Sequence, residues 1–131
     1  MRKFAFALAG ALALPAPASA HDFSCRNQAA EIQCADGECR AEIESFTPMR
    51  LTRAGPLISL CAYSGCWEGR VRFDRSRSGV HFIQGDVRRA GSSAQAGSSL
   101  LSIMHSPRDG TAQINWNGFF SVLTCLARRR D

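Results

Sequence analysis

Glu31-Ile32-Gln33-Cys34-Ala35-Asp36-Gly37-Glu38-Cys39-Arg40-Ala41-Glu42-Ile43 places Asp-Gly at the centre of two short runs, each holding a cysteine. Asp-Gly between two alternating runs is a strong signal for a two-residue hairpin, because both loop positions need the left-handed backbone that Asp and Gly tolerate. With Asp36 and Gly37 as the loop, Ala35 stands opposite Glu38 and Cys34 opposite Cys39. The cysteine pair then falls at a non-hydrogen-bonded position, where facing side chains approach most closely. A cross-strand disulfide is geometrically reasonable there.

Working outward, the same cysteine spacing recurs in Cys61-Ala62-Tyr63-Ser64-Gly65-Cys66. Leu57 to Leu60 lead in and Trp67 to Phe73 lead out, so a second hairpin pinned by Cys61–Cys66 is expected. Tyr63-Ser64 is a poorer turn than Asp-Gly, and a Ser64-Gly65 loop would shift the register by one. From Gly69 the alternation places Val71 and Phe73 on one side and Arg70, Arg72 and Asp74 on the other. Residues 75–79 read as a turn, 80–87 as a returning strand, and the Gly, Ser and Ala-rich stretch 90–99 as a loop. Strands follow at 100–105, 111–116 and 119–126, separated by Ser106-Pro107-Arg108-Asp109-Gly110 and Asn117-Gly118, both turn chemistry. No stretch beyond the N-terminus carries a helical period. The expectation is an all-β antiparallel meander, closed as a small barrel or folded as a sandwich. The barrel is preferred, because closure removes sheet edges.

The N-terminus has the order of an export signal. Arg2 and Lys3 precede an apolar run from Phe4 to Leu14, Pro15 and Pro17 break it, and Ala18-Ser19-Ala20 supplies a small-residue cleavage site. The run is about eleven residues, short of the about 20 that span a bilayer. Residues 1–20 are therefore read as a signal peptide and 21–131 as one domain, with no transmembrane segment. No cysteine stands at the cleavage site for a lipid anchor. The reading places the protein in the periplasm or outside the cell.

All six cysteines lie after residue 20. An even count in an exported chain points to disulfides. The close pairs have four residues between them, whereas zinc sites and thioredoxin-like redox sites favour two. With Cys34–Cys39 and Cys61–Cys66 assigned to hairpins, Cys25 and Cys125 remain to tie the two ends together. In the chain-entropy treatment such a long loop is worth about 4.7 kcal/mol, and each hairpin loop roughly 2 kcal/mol.

Removing Arg2 and Lys3 from the sixteen basic residues leaves fourteen, all arginine, against eleven acids. The charge is uneven: residues 21–50 are net acidic and residues 51–131 net basic. Arg70 and Arg72, at strand spacing, form a candidate basic face, to which Arg75, Arg77, Arg88 and Arg89 could add. Anionic glycans or lipid surfaces are the partners such a face would suit. A modest positive charge on an exported chain gives no ground for nucleic-acid binding.

Candidate chemistry is sparse. His21 would be the first residue after cleavage, and its free amine and imidazole could hold Cu(II), with His81 or His105 completing the set. Otherwise His81 reads as a solvent-side strand residue and His105 as an exposed turn residue. No G-x-S-x-G or H-E-x-x-H is present, and paired cysteines leave no thiol nucleophile. Trp67, Trp116, Tyr63, Phe73, Phe82, Phe119 and Phe120 are expected in the core. The exception is a candidate binding loop of Tyr63, Ser64, Gly65 and Trp67: if it is a hairpin tip, Tyr63 is exposed there.

Phe46-Thr47-Pro48-Met49 and Cys61-Ala62-Tyr63-Ser64-Gly65-Cys66-Trp67-Glu68-Gly69 resemble small cysteine-rich exported bacterial proteins of unknown function, a likeness that implies no activity. A more partial resemblance is to periplasmic inhibitors of C-type lysozyme. Those are small eight-stranded barrels with an early cysteine bonded to a late one, as Cys25 and Cys125 could be, and with a Ser-Gly loop that Ser64-Gly65 approximates. The sequence thus points to an exported, monomeric, non-enzymatic binding module without a cofactor. Its partner is an unknown protein or an anionic glycan or lipid surface, with lysozyme inhibition as a special case. The alternatives are a copper-handling protein built on His21 and a hydrolase with an unrecognised site.

Trypsin tests the connectivity. The unreduced digest should contain the peptide 21–26 joined to the peptide 109–128, while Cys34–Cys39 and Cys61–Cys66 stay within the peptides 27–40 and 54–70. A mass joining the latter two to each other is the contrary result.

Overall fold

The structure is a computed structural model that describes residues 22–63 and 65–127. The proposed signal at 1–20, His21, Ser64 and the arginines at 128–130 lie outside the described residues. Ten strands account for most of the rest: β1 (Phe23–Arg26), β2 (Glu31–Ala35), β3 (Glu38–Glu42), β4 (Met49–Ala54), β5 (Leu57–Ala62), β6 (Gly65–Arg77), β7 (Val80–Arg89), β8 (Ser99–Ser106), β9 (Thr111–Trp116) and β10 (Phe119–Ala127). No helix occurs among the described residues.

Period-two patterning decides which face of each strand is buried. Met49 and Leu51 on β4, Ile58 and Leu60 on β5, Leu101 and Ile103 on β8, and Ala112 and Ile114 on β9 point inward and are nearly inaccessible. Their strand neighbours point out. Strands β4 to β10 follow one another as an antiparallel meander, and β1 pairs with both β4 and β10. Eight strands, β1 and β4 to β10, thereby close a barrel around a single core. The barrel, not the sandwich, is the architecture.

Strand β10 serves two partners along one edge. Its residues Phe119–Ser121 pair with β2, and its later residues pair with β1. The β2–β3 hairpin therefore extends the sheet as a flap at one end of the barrel, and the Cys34 N–H donates to the Gly118 carbonyl to fix it. Its Asp36-Gly37 loop has positive φ at both positions, 53° and 80°, as the sequence requires. The β5–β6 turn pairs Ala62 with Gly65, so Tyr63 opens the loop, with φ 47°.

All three expected disulfides are present: Cys25–Cys125, Cys34–Cys39 and Cys61–Cys66. Each joins residues directly opposite in register. Cys25 is fully buried and its bridge closes the barrel between β1 and β10.

Two sequence expectations fail at β6. The pairing with β7 shifts between Val71 and Phe73, leaving Arg72 as an extra residue in a bulge. A bulge reverses the alternation beyond it. Asp74, not Phe73, therefore turns toward the interior, while Phe73 turns outward and is 41% exposed. Phe82 and Phe120 are likewise outside, at 39% and 42%, rather than in the core. Trp116 is buried, and Trp67 and Phe119 are partly buried against the core, as expected. Close packing of β6 on β7 depends on two glycines. A Cβ on Gly85 would lie 2.6 Å from Ile58 Cδ1, and one on Gly69 would collide with the Asp86 carbonyl.

The disulfides should not contribute equally. Replacing Cys25 and Cys125 with alanine should lower the unfolding free energy by about 4–5 kcal/mol, against roughly 2 kcal/mol for the Cys34/Cys39 pair. Urea titrations of the two double variants give the comparison.

Candidate functional site

Side chains on the outer face of β6 to β10 line up in rows because antiparallel partners share a face. One row runs Phe73, Gln84, Ser102, Asn115, Phe120 across the five strands. The next runs Arg75, Phe82, Met104, Gln113. Together with Arg77 these rows line a groove of about 800 Å³, floored by parts of Ile83, Ile103 and Ile114. The Arg72 bulge is what brings Phe73 and Arg75 to this face. The Arg75 guanidinium lies 5.7 Å from the centroid of the Phe73 ring, within cation–π range. Gln84 Nε2 donates to Ser102 Oγ at 3.2 Å, which orders the middle of the row. The lining carries no carboxylate, imidazole or thiol.

A second constellation lies inside one barrel end. Arg53, at an inward position of β4, is 5% exposed and bonds Asp74 Oδ2 at 2.7 Å. Its Nε donates to the Gly55 carbonyl at 3.0 Å. His81 Nδ1 is 3.5 Å from the other Asp74 oxygen. The His105 ring packs on Phe23 at a centroid distance of 4.1 Å and lies 6.2 Å from the His81 ring. Both histidines thus depart from expectation. His81 shares the inward face with Ile83 because Val80 and Phe82 face out, and His105 continues the inward set of Leu101 and Ile103 and is 4% exposed. The structure brings the two imidazoles together, but no group of three metal-ligating side chains forms among the described residues. His21, which the copper reading needs, lies outside them.

A third polar set seals the other end. Asn27 Nδ2 donates to the Thr47 carbonyl and its Oδ1 accepts from the Met49 N–H, both at 2.7 Å. Glu31, buried at 1%, accepts at Oε1 from Gln33 and Thr47. These contacts join the β1–β2 and β3–β4 connections and are structural.

The candidate loop is divided by the barrel wall. Tyr63 is 77% exposed at the turn, whereas Trp67 packs on Trp116 at 4.7 Å, whose Nε1 donates to Ser99 Oγ. A Cβ on Gly65 would meet the Trp67 ring at 3.2 Å, so this glycine lets the indole cover the strand. Ser64 lies outside the described residues. Arg72 pairs with Asp86, and Arg70 stands opposite Asp86 in register. Part of the expected basic face is therefore neutralised, and Arg75 and Arg77 carry charge to the groove instead. Sequence reasoning missed the groove aromatics. One signal was available: in Phe119-Phe120 adjacent residues of a strand must face opposite ways, so one ring has to leave the core.

The buried ion pair gives a stability test. Asp74→Ala strands a guanidinium that has little access to water and should cost about 3 kcal/mol, the low end for a broken buried pair because Asp74 is partly exposed. Asp74→Asn keeps an acceptor and should cost less; urea unfolding of both variants reads the difference. Comparison with protein-family models, with curated proteins and with solved structures finds no match for this chain.

Proposed function

We propose that the protein is an exported, non-enzymatic binding module whose ligand lies in the groove across β6 to β10. The observation that carries the reading is the groove itself. Phe73, Phe82, Met104 and Phe120 stay about two-fifths exposed on one face, beside ordered amides and two arginines. Contiguous exposed apolar surface of this kind marks interaction sites more often than it occurs by chance on a monomer. The groove lining carries no carboxylate, imidazole or thiol beside its serines, and the imidazoles sit inside the barrel with Asp74 and Phe23. Export is supported by the signal-like N-terminus and by three disulfides, which persist in oxidising compartments.

The stapled tip favours an acidic partner over a cationic one such as lysozyme. Arg26 and Arg50 stand directly opposite each other on β1 and β4, and both line the hollow beside Tyr63. Bringing a basic protein to that end is electrostatically unfavourable.

The groove can be tested before its natural ligand is known, with anilinonaphthalene sulfonate, an aromatic anion. The folded, oxidised protein should bind one equivalent saturably. Phe82→Ala and Phe120→Ala should each weaken binding by about tenfold, the usual scale for truncating an aromatic contact. Tyr63→Ala should leave it unchanged. Absence of saturable binding, or equal binding by all four proteins, counts against the proposal.

A further inference from the structure

We infer that the groove's ligand is an extended acidic oligosaccharide, an inference that rests on the groove being the binding seat. The groove is long enough for an oligomer. From Phe73 on β6 to Phe120 on β10 the row crosses four strand-to-strand steps. At about 4.8 Å each this is roughly 19 Å, enough for about four sugar rings laid across the strands.

The surface of the row combines apolar rings with polar side chains. Aromatic rings stand at both ends of the row, with Gln84, Ser102 and Asn115 between them. A pyranose ring presents an apolar C–H face and a rim of hydroxyls. The rings suit the former, and carboxamides, each with donors and acceptors, suit the latter. An acyl chain would strip water from these same polar groups and return no hydrogen bond, so the amide row selects against it. A peptide adding as a strand needs an open sheet edge, and β7 to β9 are each paired on both sides.

The charge at this face is positive. Arg75 and Arg77 are exposed at the β6 side, and neither forms an ion pair among the described residues. No carboxylate shares the lining. The Arg75 guanidinium carbon lies over the Phe73 ring, and a guanidinium can address an oxyanion in a bidentate manner. Carboxylate and sulfate ester offer the same geometry, so acidic sugars of either source are admitted.

Calorimetric titration with tetragalacturonate, a sulfated galactan tetramer and neutral cellotetraose tests the inference. At least one acidic tetramer should bind saturably and about tenfold more tightly than cellotetraose. Arg75→Gln/Arg77→Gln should remove that preference and most of its salt dependence, and Phe82→Ala should weaken all binding by about tenfold. Both variants alter outward side chains, and circular dichroism checks their fold. If neither acidic tetramer binds while anilinonaphthalene sulfonate still does, the seat stands and the glycan assignment falls. The glycan assignment falls equally if cellotetraose binds as tightly, or if dodecyl phosphate or an acidic aromatic peptide displaces the probe and the sugars do not. If the probe itself fails to bind, the failure belongs to the seat.

Discussion

The barrel is held shut at the seam between β1 and β10. A meander of seven strands has two open edges, and here β1 pairs with both of them. Strand β1 is four residues long, so it brings few backbone bonds to either pairing. Cys25, in its centre, faces Leu51 on one side and Cys125 on the other. The covalent bond to Cys125 closes the long loop between β1 and β10, across a sequence separation of 100, so the entropy of closing it is not lost again on folding. Once the seam is closed, Phe23, Leu51, Leu123 and the core of β8 and β9 share one interior from which water is excluded. The hairpin bridges work differently. Cys34–Cys39 fixes a register that the Asp36-Gly37 turn already favours, and Cys61–Cys66 selects one register where the turn residues leave two open, so both limit slippage more than they create the fold.

The bulge at Arg72 has consequences on both sides of the wall. It carries Asp74 inward, where Arg53 would otherwise be a buried cation without a counter-ion. It carries Phe73 and Arg75 outward, where they begin the two rows of the groove. A single inserted residue thus supplies the interior with its ion pair and the exterior with the outward aromatic and arginine of the groove. Without it the strand would offer Phe73 to the core and leave Arg53 facing apolar neighbours. Arg72 itself, the residue that takes up the offset, is held by Asp86 on the adjacent strand.

What the sequence made legible follows from how local each signal is. The Asp36-Gly37 hairpin, the paired cysteines and the strands from β7 to β10 rest on turn residues and on alternation within about ten positions. Strands β1 and β4 were not legible. The first is only four residues long, and in Met49-Arg50-Leu51-Thr52-Arg53-Ala54 an arginine occupies an inward position. That arginine is explained only by Asp74, twenty-one positions later and beyond a bulge that no composition announces. The exterior aromatics were misplaced for a related reason. Core volume is a good default for phenylalanine, but Phe82 alternates with His81 and Ile83, and the register gives the interior to those two. The basic stripe was visible as composition, yet its division into Arg72 paired with Asp86, and Arg75 and Arg77 facing the groove, depends on pairing across β6 and β7.

The separation of stabilising and recognising elements bears on what the groove can tolerate. The bridges, the Arg53–Asp74 pair and the apolar interior all lie on the inner face or at the turns. Gln84, Gln113, Asn115, Ser102 and the exposed rings lie on the outer face of strands whose inner residues are fixed. Because successive strand residues face opposite sides, a change in the outer row alters the groove surface with little effect on packing. Rigid strands also present those side chains with little conformational freedom left to lose on binding, which favours affinity from few contacts. A small chain with a thin margin of hydrophobic stability can carry exposed aromatics only if something other than that surface holds it folded. Here the covalent seam does so, and the apolar outer face is the freedom that it allows.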